Sequence, residues 1–98
     1  MARAIWNDVV LAESDTFETV EGNVYFPPDS VHWDYLKPGD RQYTCPWKGE
    51  ASYYNIVAGD KVKKNAAWNY PEPKEAAQHI KGYVAFETSV FGGGVKVK

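Results

Sequence analysis

Apolar and polar positions alternate along this chain in short runs, each closed by Gly, Pro or an Asn-Asp pair. That is the rhythm of short β-strands, not of the longer amphipathic helices that alternate with strands in βαβ units. Residues 3–6 and 9–13 flank Asn7-Asp8, a pair that tolerates the positive φ angles of a two-residue hairpin turn. Residues 16–21 and 23–26 flank Gly22, and residues 51–57 and 61–64 flank Gly59-Asp60, which predicts two further hairpins. Residues 82–87 and 95–97 read as closing strands. In 51–57, Tyr53 and Asn55 share one face while Ser52, Tyr54 and Ile56 share the other. An aromatic on each face predicts a central strand. Lys96 and Lys98 share one face of the tail, as on a protected edge strand.

Two segments break the strand rhythm. Pro27-Pro28-Asp29-Ser30 is expected to open a short helix running through His32, Trp33 and Leu36, capped by Asp29 or Ser30 and ended by Lys37-Pro38-Gly39. Val31, Tyr35 and Leu36 would share its apolar face. Residues 71–80 combine two prolines with Ala76-Ala77 and predict one or two helical turns. Gly92-Gly93-Gly94 reads as a bulge or loose turn; the Val-Lys-Val-Lys strand after it is not the helix N-terminus that a phosphate loop requires.

Composition narrows the picture. A chain of 98 residues predicts a single domain over residues 1–98, able to fold without staples. Its hydropathy leaves no room for a membrane span. One cysteine excludes an internal disulfide and a multi-thiolate zinc site, so neither metal nor cofactor is expected. A lone thiol and the absence of a secretory-type apolar stretch at the start lead us to expect a cytoplasmic protein. The formal charge of −2 argues against nucleic acid as partner. Residues 1–40 carry two basic and eight acidic side chains, and residues 41–98 nine basic and five acidic. A compact fold intermixes such halves into a surface of complementary charges, with a mildly basic face as the alternative.

Aromatic residues are the excess, at 15% of the chain. Several lie in four blocks: Glu21-Gly22-Asn23-Val24-Tyr25-Phe26-Pro27-Pro28; Cys45-Pro46-Trp47-Lys48-Gly49 with Ala51-Ser52-Tyr53-Tyr54; Ala66-Ala67-Trp68-Asn69-Tyr70-Pro71-Glu72-Pro73; and Ile80-Lys81-Gly82-Tyr83-Val84-Ala85-Phe86. In order and spacing these blocks resemble the bacterial family of domain of unknown function 427. The resemblance spans the opening hairpin to about Glu87. It implies a mainly β fold, a compact antiparallel two-sheet β-tent of the Mss4-like type, with one or two short helices. Many members of that wider group hold zinc with two cysteine pairs, and Cys45 alone cannot. A nucleotidyltransferase reading would require clustered acidic magnesium ligands beside a Gly-rich phosphate loop, and the chain has neither.

The blocks supply the candidate site. Two indoles and a tyrosine can cage a flat or cationic group. The leading expectation is therefore a small-molecule pocket walled by Trp47, Trp68, Tyr53 and Tyr25 or Tyr70, with Lys48 offered to an anionic substituent. Glu72, fixed between prolines, would accept a hydrogen bond or proton at the rim. The ligand would be flat or anionic. The rival is a cysteine-dependent enzyme with Cys45 as nucleophile or redox group, which needs exposure and a lowered thiol pKa. A third reading is an interaction module, monomer or homodimer, using an edge strand. Trp6, Trp33, Phe17 and Phe86 are expected to pack the core, and His32 and His79 to face solvent.

Overall fold

A computed structural model describes residues 1–88 and 93–98. The strands are β1 (Ala2–Trp6), β2 (Val9–Ser14), β3 (Glu18–Val20), β4 (Asn23–Tyr25), β5 (Leu36–Cys45), β6 (Gly49–Ala58), β7 (Lys61–Asn69), β8 (Val84–Phe86) and β9 (Lys96–Val97). The named strands pair antiparallel, an isolated Tyr70–Lys81 bridge is parallel, and the protein is mainly β. Where two sheets are expected, the described residues form three: β2-β1-β9, the hairpin β3-β4, and β5-β6-β7-β8. The hairpin is sutured to the four-stranded sheet by reciprocal main-chain hydrogen bonds of 2.8 and 2.9 Å between Phe26 and Val84. No helix among the described residues is long and apolar enough to cross a membrane.

The tight turns follow from residue type. Asn7 and Asp8 stand at φ 52° and 62°, the left-handed pair of a type I′ turn whose twist matches its strands. Gly59-Asp60 joins β6 to β7 as expected. β6 is central, between β5 and β7, and β9 is an edge strand. Of the Gly92-Gly93-Gly94 turn, Gly92 lies outside the described residues, and Gly93 has φ 73°.

The expected helix over 29–36 is replaced by two single 3₁₀ turns, Pro28–Ser30 and Trp33–Tyr35. His32 interrupts them in a non-helical conformation, because its backbone N–H is donated to the Leu11 carbonyl of β2 at 2.8 Å. Neither Asp29 nor Ser30 caps a helix; the Ser30 hydroxyl donates to the Pro27 carbonyl. Lys37-Pro38-Gly39 does not stop a helix but lies inside β5, an edge strand where a missing proline N–H is tolerated. Residues 75–80 form a 3₁₀ segment broken at Ala77.

The four-stranded sheet is the middle layer. One face, with Ile56, Ala67, Val84 and Phe86, packs against Ala2, Ala4, Leu11 and Ala12 of the three-stranded sheet; Phe26 meets Phe86 edge-on at 5.8 Å. Each fully buried Leu, Ile or Phe contributes roughly 1.5–3 kcal/mol there. The opposite face gathers Tyr25, Cys45, Ala51, Tyr70 and Ala85 beneath Ala77 and Ile80 of the 3₁₀ segment, with Tyr53, Trp68 and Tyr83 packed at the margin. Phe86 is in the core as expected, and Trp6 is partly buried against it. Phe17 and Trp33 are not core residues: they are 43% and 39% exposed. Trp33 lies edge-on to Tyr54 and donates its indole N–H to the Pro28 carbonyl. Both sit where the chain runs outside the strand ladders, so no second layer covers them.

Candidate functional site

Two of the sequence blocks meet at the β5–β6 turn. Cys45 pairs with Gly49, leaving Pro46-Trp47-Lys48 as the turn. Gly49 has φ 107°, a backbone conformation that favours glycine, and residues 72–74 of the chain pass at ordinary contact distance, 3.4 Å from a Cβ there to the Lys74 nitrogen and 3.5 Å to the Glu72 carbonyl oxygen. Lys74 completes the junction: its backbone N–H donates to the Lys48 carbonyl at 2.9 Å and its Nζ to the Pro46 carbonyl at 2.8 Å. Glu72 itself is exposed.

Lys48 is folded back from this turn and only 7% exposed. Its Nζ lies 5.0 Å from the Trp47 ring centroid and 5.6 Å from that of Tyr70, and is ion-paired with Glu21. Glu21 occupies a left-handed position (φ 53°) before Gly22 (φ 80°) in the β3–β4 turn, so a strained turn carries the counter-ion. Burial alone would pull the Lys48 ammonium pKa down. The Glu21 hydrogen bond and the neighbouring Tyr25 and Tyr70 outweigh it and raise it above the usual lysine value. The ammonium sought as an anion site is therefore already neutralised by Glu21.

Burial pushes the Tyr70 hydroxyl up to about 12 against the opposing field of Lys48. Burial also raises Tyr25, although the Trp68 hydrogen bond and Lys48 act the other way. Both phenols are protonated near neutrality. Cys45 is 4% exposed, within the apolar cluster that also contains Tyr25 and Tyr70. Trp47 remains 39% exposed. Both histidines are exposed, and His32 Nδ1 is 2.8 Å from the Val10 carbonyl oxygen.

The remaining candidates form a row across the sheet. Tyr53 stands directly opposite Trp68, with ring centroids 6.0 Å apart and planes at 35°. Trp68 pairs with Ala85, and the Phe26–Val84 bridge continues the register so that Ala85 faces Tyr25. Because Ala85 has only a methyl group, the indole of Trp68 reaches across it to donate to the Tyr25 hydroxyl at 3.2 Å. At the other end of the row the Arg41 guanidinium carbon sits 5.0 Å over the Tyr53 ring.

Arg41 was not foreseen, and a local device places it. The β5–β6 register shifts between Pro38 and Gln42. Asn65, at φ 52° in β7, fills that irregularity: its Oδ1 accepts the backbone N–H groups of Asp40 and Arg41 at 3.1 and 3.2 Å, and its Nδ2 donates to Asp40 Oδ1 at 2.8 Å. Asn65 is held in turn by its own backbone N–H, which donates to Asn55 Oδ1 at 2.8 Å. Gly39 is required because a Cβ there would lie 2.3 Å from Asn65 Oδ1. The sequence did carry one sign of this strand, the polar-apolar alternation of Gln42-Tyr43-Thr44-Cys45.

Tyr53, Trp68 and Arg41 line a concavity of about 280 Å³ with Asn23, Asn65, Glu87 and Thr88. Trp47, Lys48, Tyr70 and Glu72 are not in its lining. Hollows of about 550 and 690 Å³ both involve Gly93, next to the residues outside the described set, and neither contains two aromatic rings; a third, of about 380 Å³, shares Arg41 and Tyr53 with the smaller concavity and adds Tyr54, but lacks Trp68. Among the described residues no three His, Cys, Asp or Glu side chains converge as metal ligands would. The structure thus divides the expected site into a closed turn around Lys48 and an open aromatic row ending in Arg41. No curated protein matches the chain. A family model described as a domain of unknown function, DUF427, matches residues 1–96, and the chain belongs to that family.

Proposed function

We propose that this protein binds a small molecule bearing a flat ring in the concavity beside Tyr53 and Trp68. The observation that carries the reading is the row itself: a guanidinium laid over Tyr53, with Tyr53 facing Trp68, at the wall of a hollow that opens to solvent. A volume of about 280 Å³ is at the small end of ligand sites and suits one or two fused rings. Stacking on the two aromatics is worth about 0.5–1.5 kcal/mol per ring contact. Asn23, whose side chain makes no hydrogen bond to a described residue, offers a donor and an acceptor at the polar wall. Tyr25 backs the site by fixing the indole, while Lys48, Tyr70 and Trp47 brace the neighbouring turn.

The test is a titration of tryptophan fluorescence and thermal stability against a panel of aromatic and heteroaromatic metabolites, on wild type, Trp68→Ala, Tyr53→Ala and Trp47→Ala. Binding should be lost in the first two variants and kept in the third. A panel with no active compound, or a response that survives Trp68→Ala, defeats the proposal.

A further inference from the structure

Among the described residues, Arg41 and Lys48 are the two cations laid over aromatic rings, and their surroundings differ in a way that bears on the ligand. Lys48 has a counter-ion in Glu21. Arg41 forms no ion pair with any described residue. The carboxylate beside it in sequence, Asp40, is occupied by Asn65 Nδ2, a hydrogen bond that holds the Asp40 carboxyl below its usual range. The same Asn65 grips the Arg41 backbone N–H, and Gly39 and Asn55 keep Asn65 in place. Asn65, Gly39 and Asn55 therefore fix the Arg41 backbone at the rim of the hollow, and Asn65 engages the neighbouring Asp40 carboxylate.

A guanidinium stacked on a ring leaves its in-plane N–H edges open, and two parallel N–H groups match the two oxygens of a carboxylate. Among the described lining residues Arg41 is the lone cation, and Glu87 also belongs to the lining, so a dianion would meet no second positive charge there. We infer that the ligand is an aryl carboxylate, its planar ring against Trp68 and Tyr53 and its two oxygens gripped by the edge of Arg41, with Asn65 as the positioning residue. This rests on the reading of the concavity as a binding site.

The experiment uses 2-naphthoate, its neutral counterpart 2-naphthamide and 2-naphthyl phosphate, with the Trp68 indole NMR resonance as reporter. For wild type the acid should bind at least about tenfold tighter than the amide and tighter than the phosphate. Arg41→Gln should reduce the acid to the level of the amide, and Arg41→Lys, which keeps the charge but not the fork, should lose most of the preference. Asn65→Gly, which suits the left-handed backbone, should weaken the acid more than the amide and so shrink the acid-to-amide ratio; a merely destabilised fold would weaken both alike. Equal binding of acid and amide, full retention by Arg41→Lys, or a preference for the phosphate overturns the carboxylate assignment. If neither acid nor amide moves the Trp68 resonance, the reading of the concavity fails first.

Discussion

Trp68 and Tyr25 are joined by a 3.2 Å hydrogen bond that crosses a whole strand, from β7 over Ala85 of β8 to β4. The bond ties the β3–β4 hairpin to the four-stranded sheet on the face opposite the main core. It also gives the indole at the wall of the concavity a fixed orientation, since Tyr25 is almost wholly buried and cannot follow a moving ring. A rigid aromatic wall is what a site needs if it is to recognise a flat ligand without ordering itself first.

Tyr25→Phe should therefore cost more than a surface hydroxyl would. Removing the acceptor leaves the half-buried indole N–H without its partner, an effect of about 1 kcal/mol. Urea denaturation should show that loss, and Trp68 emission should shift as the ring gains freedom. Unchanged stability and emission would show that the bond holds nothing in place.

The Lys48 cluster makes stability sensitive to alkali. Tyr70 is raised from 10.0 to about 12 in the folded state, and Lys48 and Tyr25 are raised as well. Groups whose folded pKa exceeds the unfolded one are equally protonated in both states at lower pH. Above the unfolded pKa the unfolded chain sheds protons that the native state still holds, so stability falls as pH rises, by up to about 1.4 kcal/mol per pH unit for each group. The protein should hold its urea midpoint to about pH 10 and lose it steadily between pH 10 and 12. Tyr70→Phe should flatten that decline, and an identical slope in the variant would remove Tyr70 from the account.

How far the sequence disclosed this arrangement depended on whether the deciding contact was local. Asn7-Asp8 and Gly59-Asp60 were readable as turns because their backbone preferences act within four residues. The aromatic blocks were readable as one neighbourhood, and Tyr25, Tyr53, Trp68, Tyr70 and Cys45 do pack together. What sequence could not show is that Glu21, 27 positions away, neutralises Lys48. Nor could it show that Asn65 reaches 24 residues back to Arg41 and makes a strand of the Pro38-Gly39 segment. His32 leaves the expected helix for the same reason, a hydrogen bond to β2 that no helical propensity reveals.

Cys45 should behave as a core residue. With the sulfur covered, native labelling by iodoacetamide or an aromatic disulfide should run at least about a hundredfold slower than in urea, because it must await local opening. Cys45→Ser should destabilise by about 1–3 kcal/mol by placing a hydroxyl among Tyr25, Tyr70 and Ile80, and Cys45→Ala by less. Native labelling as fast as in the unfolded chain would put the thiol at the surface and bring back its role as a nucleophile.

The contact between Gly39 and Asn65 gives the most discriminating pair of substitutions. A methyl group at Gly39 would stand 2.3 Å from Asn65 Oδ1, a distance no Cβ tolerates, and Asn65 cannot swing aside without dropping the N–H groups of Asp40 and Arg41. Gly39→Ala should thus cost about 1–3 kcal/mol, as overpacking does. Asn65→Gly removes the obstructing oxygen and suits φ 52°, but leaves those N–H groups to water and should cost about 1 kcal/mol alone. In the double variant the clash with Asn65 is gone and only the milder 3.2 Å approaches to Asn55 Oδ1 and the Tyr53 carbonyl oxygen remain, so the combined loss should fall short of the sum by at least about 1 kcal/mol. Urea denaturation of the four proteins measures that coupling. Additive losses would mean that Gly39 is needed for its own backbone conformation and not to admit the side chain that aims Arg41.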